Sequence, residues 1–260
     1  MPGFEEDRDF FSEQSGGTRA QKIKPARTVD TSGALSFAKV FLYMFMYLAI
    51  TAAVAFGVGA LISYTYAQQV AAGGTGEEVL IPYFGVMIGS AVALLILMLV
   101  INFVVIRGKH SVLVPSIIFA ILVGVLFSTL TIFVDWRIIG MAFGITAGIF
   151  FIMGGIAFIS KGNMAPLGLM ALGLFIGAGL LALINWIIGS ETIYWIVSFA
   201  IFAAVMFVAM FDIWNIKKIT ERGAADKNIS YYCAFVMYTD FINVFIRILY
   251  FLIIIFGNKK

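Results

Sequence analysis

Charged residues are scarce in this 260-residue sequence: they make up 12% of it, about half of the roughly 25% that is usual in soluble domains. Its one cysteine, Cys233, excludes an internal disulfide framework. Its one histidine, His110, excludes imidazole-rich metal sites. Apolar residues account for 62% of the chain, more than a water-soluble fold of this length can bury. The composition therefore predicts an integral membrane protein.

Residues 1–36 differ from everything that follows them. Acidic residues come first and basic residues follow, with few large apolar side chains between them. This composition is typical of a disordered segment. No apolar core begins before Val40, so the stretch does not resemble a cleavable signal peptide. We expect residues 1–36 to form a disordered, polar, cytoplasmic tail and residues 37–260 to form one transmembrane domain.

Seven apolar stretches reach the ~20 residues that a helix needs to cross a hydrocarbon core about 30 Å thick. The predicted fold class is therefore all-α, a polytopic membrane protein with seven transmembrane helices. Several links between these stretches are too short to hold a domain, so their neighbours are expected to be antiparallel. The predicted spans are Val40–Ile62, Ile81–Ile106, Val112–Val134, Ile138–Ser160, Ala165–Ile188, Ile193–Trp214 and Tyr231–Phe256.

Lysine and arginine residues fall mostly on one side of the predicted spans. Of the 17, thirteen lie on the side of the N-terminus, three lie on the other side, and Arg247 lies within a span. Because cytoplasmic loops retain positive charge during insertion, the N-terminus is expected in the cytoplasm and the C-terminus outside. The expected location is the plasma (inner) membrane of a bacterium, or the endoplasmic reticulum or another endomembrane of a eukaryote.

Glycines recur every four residues in three of the predicted helices. This spacing lets helix backbones approach closely, so we expect helix–helix contacts along these faces. The glycines concerned are Gly85 and Gly89, then Gly140, Gly144 and Gly148, and finally Gly173 and Gly177.

Only two of the 14 acidic residues fall within the predicted spans, Asp212 and Asp240. An ionised carboxylate near the bilayer centre costs at least about 2.5–3.5 kcal/mol, so such a residue needs a partner, a cavity or a function. In the last predicted helix, Asp240, Asn243 and Arg247 fall on one helical face. We therefore expect this polar stripe to point into the protein.

Asp212 and Arg107 each lie at the inner end of a predicted helix. A carboxylate at that edge is alternatively solvated by headgroup water and paired with Lys217 or Lys218. Arg107 is alternatively a positively charged anchor on the cytoplasmic side. Counting 1.5 Å per residue along the predicted helices places the carboxyls of Asp212 and Asp240 at different depths in the membrane. The sequence therefore leaves open whether the two are in contact.

The segments around the two aspartates resemble the Bax inhibitor 1 family, also called the transmembrane Bax inhibitor motif or YccA-like family. Segment 238–245, Tyr-Thr-Asp-Phe-Ile-Asn-Val-Phe, is similar to that family's Tyr-Leu-Asp-Phe-Ile-Asn-Leu-Phe signature in its last helix. Segment 211–217, Phe-Asp-Ile-Trp-Asn-Ile-Lys, is similar to its Tyr-Asp-x-x-x-Ile-Lys motif at the end of helix 6. Segment 37–41, Phe-Ala-Lys-Val-Phe, followed by Thr51, fits its first helix.

The resemblance implies a seven-helix fold with the last helix surrounded by the other six, and a calcium leak that responds to pH. In this family pattern Asp212 and Asp240 share a proton and act as the pH sensor, and Arg107 latches the closed pore. The two aspartates are also the candidate calcium ligands. Calcium is expected as a transported ion and the lipid bilayer as the other partner, with no cofactor.

A second class of function stays open. The run Ala91–Val100 in the second predicted helix carries no charge, whereas some relatives have an acidic residue there. This favours a regulator that conducts nothing and binds a membrane protease or another membrane protein in a stress or cell-death pathway. An enzyme is not expected, because the sequence has no Gly-x-Ser-Gly elbow with a membrane histidine and no Gly-x-Gly-Asp beside Asp240. Nucleic acid is not expected as a partner.

Overall fold

The computed structural model describes residues 37–107, 111–160, 162–221 and 227–257. These ranges are almost entirely helical and contain no strand. The predicted tail, residues 1–36, lies outside them. The helices, labelled in chain order, are α1 Phe37–Ala71, α2 Glu77–Arg107, α3 Leu113–Phe133, α4 Trp136–Ile159, α5 Ala165–Ile188, α6 Glu191–Glu221 and α7 Lys227–Gly257.

All seven helices are long and apolar enough to cross a membrane. The shortest, α3, has 21 residues, which at 1.5 Å per residue is about 32 Å. Helices suit this environment because each backbone N–H finds its acceptor within the same segment, where the hydrocarbon offers no water. The predicted all-α fold with seven transmembrane helices is confirmed.

Four helices extend well past the apolar stretches that predicted them. α1 continues nine residues beyond Ile62 and α6 continues seven beyond Trp214, while α2 begins four residues before Ile81 and α7 begins four before Tyr231. The added residues are largely polar, and they sit where the helix leaves the hydrocarbon and its side chains can reach water. The predicted position of Asp212 at the end of helix 6 was therefore wrong, because the residue lies about two and a half turns inside α6.

α7 contributes much of the buried core, and it packs on α1, α4 and α6. A buried polar contact joins it to two other helices: the Thr51 hydroxyl of α1 donates to the Ala120 carbonyl of α3 at 3.0 Å. The same hydroxyl lies 2.6 Å from the Tyr238 hydroxyl of α7. Each of these groups thus has a partner, as burial requires. A position of α7 surrounded by all six other helices stays a prediction.

The predicted close approach of backbones along the glycine faces was wrong. A Cβ built at any of the seven repeating glycines, from Gly85 to Gly177, meets no atom within 4 Å. The close approach lies instead at Gly124 of α3, where a Cβ would be 2.8 Å from the Thr51 carbonyl oxygen and 2.7 Å from the Val54 Cβ. Small residues permit contact, but the larger side chains around them decide which faces meet.

Replacing Gly124 with alanine is expected to destabilise the protein. The added methyl meets a backbone carbonyl of α1, which cannot yield without moving the helix, and overpacking of this kind typically costs about 1–3 kcal/mol. Gly148→Ala is the matched control, since its methyl meets nothing within 4 Å. Thermal unfolding of the detergent-purified protein should show a lower midpoint for Gly124→Ala only. Equal midpoints for the two variants would contradict the close packing of α1 on α3.

Candidate functional site

The two membrane aspartates meet in the structure. The side chains of Asp212 in α6 and Asp240 in α7 lie within hydrogen-bonding reach of each other. Asp240 is buried, with 7% of its surface exposed, whereas Asp212 is half-buried. Ionised carboxylates only accept hydrogen bonds, so a hydrogen bond between the two needs a proton on one of them. The geometry is thus that of a site that can hold a proton.

The contact follows from the length of the two helices. α6 and α7 pack against each other. Asp212 lies nine residues before the end of α6 and Asp240 lies thirteen after the start of α7, which correspond to about 14 Å and about 20 Å of helix. A stagger of the helix ends or a tilt of the helices accommodates the difference of about 6 Å between these two lengths. The question that the sequence left open is thus resolved in favour of contact.

One oxygen of the pair is unsatisfied. Oδ2 of Asp240 is buried and has no hydrogen-bond partner among the described residues. Leaving a buried acceptor unpaired costs about 1–3 kcal/mol. Such an atom marks a position where a proton, a water molecule or a cation would be stabilised.

A cavity of about 530 Å³ opens beside the other carboxyl, between the C-terminal part of α6 and the N-terminal part of α7. Its lining includes Asp212, Asn215, Lys218, Tyr232 and Cys233. The pair therefore has an accessible side at the α6 carboxyl and a buried side at the α7 carboxyl.

Contacts around the end of α6 hold this helix in place. The Lys217 ammonium donates to the Ser160 carbonyl at 3.3 Å. The Trp214 indole N–H donates to the Gly162 carbonyl at 3.1 Å, and the Lys218 ammonium lies 3.6 Å from the centre of the same indole. These contacts fix the C-terminal part of α6 against the link between α4 and α5.

Arg107 ends α2, as predicted, but its side chain lies outside the described part of the structure. The helix that carries it is tied to the cavity, because the Tyr232 hydroxyl of α7 donates to Oδ1 of Asn102 at 3.2 Å. Asn102 lies five residues before Arg107 on α2. The backbone of Arg107 thus follows a helix that contacts the cavity wall.

The polar stripe predicted along α7 does not point into the protein as a whole. Asp240 is buried, Arg247 is half-buried and Asn243 is exposed, so the prediction was wrong for Asn243. Three residues turn an α-helix by about 300°, which leaves Asn243 about 60° away from the buried face. Arg247 lies toward the C-terminal end of α7, close enough to Tyr250 to interact electrostatically. Asn243 and Arg247 both lie in the part of α7 that follows Asp240.

The sequence analysis missed two polar residues that line the cavity, Asn215 and Cys233. Asn215 follows Asp212 by three residues and Cys233 precedes Asp240 by seven, which places them about 60° and about 20° around the helix from their aspartates. These spacings are visible in the sequence. What the sequence does not show is that the two faces are turned toward each other.

Replacing Asp240 with asparagine is expected to remove a pH dependence of stability. A native pair that shares a proton stays protonated above about pH 5, where both carboxyls of an unfolded chain are ionised. The native state then binds more protons, so stability falls as pH rises, by up to about 1.4 kcal/mol per pH unit. Asparagine supplies a permanent N–H donor, and its variant should lack this slope. Thermal midpoints of purified protein between about pH 5.5 and about pH 8.5 measure it.

The matched control is Asp135→Asn. Asp135 is exposed, and its side chain accepts a hydrogen bond from the backbone N–H of Arg137 at 2.9 Å, a role that asparagine can fill. This control should keep the wild-type slope. An unchanged slope in Asp240→Asn would contradict the shared proton.

One of the comparisons with known proteins covers the whole helical part of the chain. The family model described as "Inhibitor of apoptosis-promoting Bax1" matches residues 34–258. Over 213 residues the chain is 28% identical to the inner membrane protein YbhL of Escherichia coli strain K12. This alignment covers 78% of the present chain and 88% of YbhL. The same protein from a second Escherichia coli strain gives the same values. With its seven apolar helices and a match that includes both aspartates, the chain belongs to the Bax inhibitor family of multi-pass integral membrane proteins.

Proposed function

We propose that this protein is a pH-sensitive leak channel for calcium or similar cations, gated by the proton that Asp212 and Asp240 share. The carboxyl–carboxyl contact between α6 and α7 is the observation that carries the proposal. These residues are the two acids within the apolar part of the chain, and their contact is a built protonation site. The family membership supports the fold and the membrane location, and the gating rests on the pair.

The described conformation is the closed one. One carboxyl donates to the other and holds α6 against α7. Asp212 lines the cavity, whereas the buried Asp240 does not. Beyond it the next residue, Phe241, packs on Phe143 and Phe150, with ring centres 5.4 Å and 5.2 Å apart. An ion that reaches the pair meets an apolar barrier behind it.

Acidification opens this gate. With one shared proton the pair keeps one negative charge, which Arg107 at the end of α2 compensates as a latch. A second proton removes that charge, so the arginine loses its partner and α2 is released from the α6–α7 cavity. Flux is therefore expected to rise as pH falls.

The ligand set suits a passing cation better than a resident one. Ca²⁺ takes six to eight oxygen ligands and prefers carboxylates and carbonyls. Among the described residues, no group of three or more His, Cys, Asp or Glu side chains could hold a metal ion. The two carboxyls, one of which includes the unpaired Oδ2 of Asp240, and the amide of Asn215 in the adjoining cavity provide a sparse site in which Ca²⁺ competes with the shared proton.

The alternative is a regulator that conducts nothing and acts by binding a membrane protease or another membrane protein. The uncharged run 91–100 of α2 favours it, because a conducting path through that helix would gain from an acidic residue. The exposure of α2 and α5 also favours it. In each of these helices only 11% of the most apolar 18-residue stretch is buried, which leaves broad faces for other membrane proteins. A wild-type protein that passes no ion at any pH would support this alternative.

Reconstitution into vesicles loaded with a calcium indicator tests the channel. Wild-type protein should show calcium flux that rises on acidification from about pH 8 to about pH 6, by up to about tenfold per pH unit where the pair titrates. The Asp240→Asn variant should show the same flux over this whole pH range, near the level of wild type at neutral pH, because one carboxylate stays charged and the amide keeps the contact. Asp135→Asn should behave as wild type.

Arg107→Gln separates the latch from the sensor. Without its guanidinium, flux at neutral pH should approach the level that wild type reaches in acid. Lys39→Gln, which removes an exposed charge near the start of α1, is the matched control and should leave the response unchanged. An identical pH response in wild type and Asp240→Asn would contradict the proposed gate.

A further inference from the structure

An apolar cavity of about 450 Å³ lies in the bundle apart from the aspartate pair, within the range that small-molecule sites occupy. Side chains of α1, α3, α4 and α7 line it, and all of them are apolar except those of Thr51 and Thr131. α1 packs mainly on α3 and α7, whereas α4 packs mainly on α7 and α6. The cavity therefore fills the gap between α1 and α4, and α6 takes no part in its wall.

The cavity opens at the surface that faces the bilayer. Residues of its lining are strongly exposed: Trp136 at 72%, Phe56 at 53% and Phe143 at 44%. The hydrocarbon holds no water to fill such a space, and an empty apolar cavity forfeits the dispersion contacts of its walls. Hydrocarbon is what surrounds the opening, so the filler that this environment supplies is an acyl chain.

One end of the cavity reaches the membrane interface. α3 ends at Phe133 and α4 begins at Trp136, and tryptophan prefers the level of the headgroups. The guanidinium carbon of Arg137 lies 5.8 Å from the centre of the Trp136 ring. A polar depression lined by Asp135 and Arg137 shares Thr131 and Trp136 with the apolar cavity. The apolar cavity is thus continuous with the polar depression that contains Arg137.

We propose that this cavity binds one acyl chain of a phospholipid whose phosphate is held by Arg137. A guanidinium presents a planar fork of donors that matches phosphate, and the N-terminus of α4 adds a favourable dipole. The Asp135 carboxylate is engaged by the backbone N–H of Arg137 at 2.9 Å, which leaves the guanidinium to face the headgroup.

The acyl chain runs from the interface toward the middle of the bundle. The step from Trp136 to Phe143 along α4 covers about 10 Å, and Phe241 and Phe245 of α7 belong to the same lining. The lipid thus packs on the helix that carries Asp240, on a different face from the carboxyl pair. The proposal does not depend on ion conduction.

A phospholipid with a photoreactive group on its acyl chain tests the site in vesicles that contain the full-length protein. After illumination, mass spectrometry should find the label concentrated in segments 48–56 and 136–143. Gly140→Leu places a side chain in the cavity, since Gly140 lines it and a Cβ there meets nothing within 4 Å. This variant should lower labelling of these segments by at least about tenfold, because its side chain takes the place of the acyl chain.

Gly148→Leu is the matched control, because Gly148 is equally open but does not line the cavity. It should label as wild type. Ala52→Leu fills the cavity from α1 and provides a second test should Gly140→Leu fail to fold. Labelling spread evenly over the bilayer-facing helices and insensitive to both filling variants would overturn the site.

The phosphate contact has its own test. Arg137→Gln should lower labelling of the cavity segments by about tenfold, the loss expected for a hydrogen bond to a charged group, and leave labelling elsewhere unchanged. A diacylglycerol that carries the same photoreactive chain lacks the phosphate. It should label the cavity weakly and to the same extent in wild type and Arg137→Gln. Equal labelling by the two lipids in wild type would overturn recognition of the phosphate.

Discussion

The contact between two carboxyls inside an otherwise apolar bundle is the constraint on which the functional account depends. In hydrocarbon, each of Asp212 and Asp240 alone would be an isolated charge or an unpaired polar group, and both are costly. Brought together, they can form a hydrogen bond with each other only with a proton between them. The proposed gate uses this requirement, because it makes the packing of α6 on α7 depend on protonation. The half-buried Asp212 lines a cavity, through which the proposed proton would exchange.

The rest of the bundle positions this contact. Thr51 of α1 bonds both Tyr238 of α7 and Ala120 of α3, while the end of α6 is held against the link between α4 and α5. Each of the two helices that carry a carboxyl is therefore tied to other parts of the bundle. The apolar cavity between α1 and α4 lies on the other face of α7, where lipid rather than solvent completes the packing.

The sequence predicts the spans well and the site only in part. Long apolar runs identify seven helices, because water-free surroundings force the chain to satisfy its hydrogen bonds within each segment. They do not show that α6 continues to Glu221 or that α7 begins at Lys227, since helices extend into the polar interface beyond the apolar run. With these bounds, Asp212 and Asp240 lie about 14 Å and about 20 Å from the adjoining ends of their helices, similar enough for contact. Rotation about a helix axis is likewise undetermined, which is why Asn243 and the glycine faces were placed wrongly.

The shared proton is tested most directly by infrared difference spectroscopy of the membrane-reconstituted protein at neutral pH. A protonated carboxyl has a C=O stretching band that an ionised carboxylate lacks. The account predicts such a band in the wild-type protein at neutral pH, and its loss in Asp240→Asn, where the remaining aspartate is ionised. A wild-type spectrum without the band, or a band unaffected by Asp240→Asn, would contradict the account.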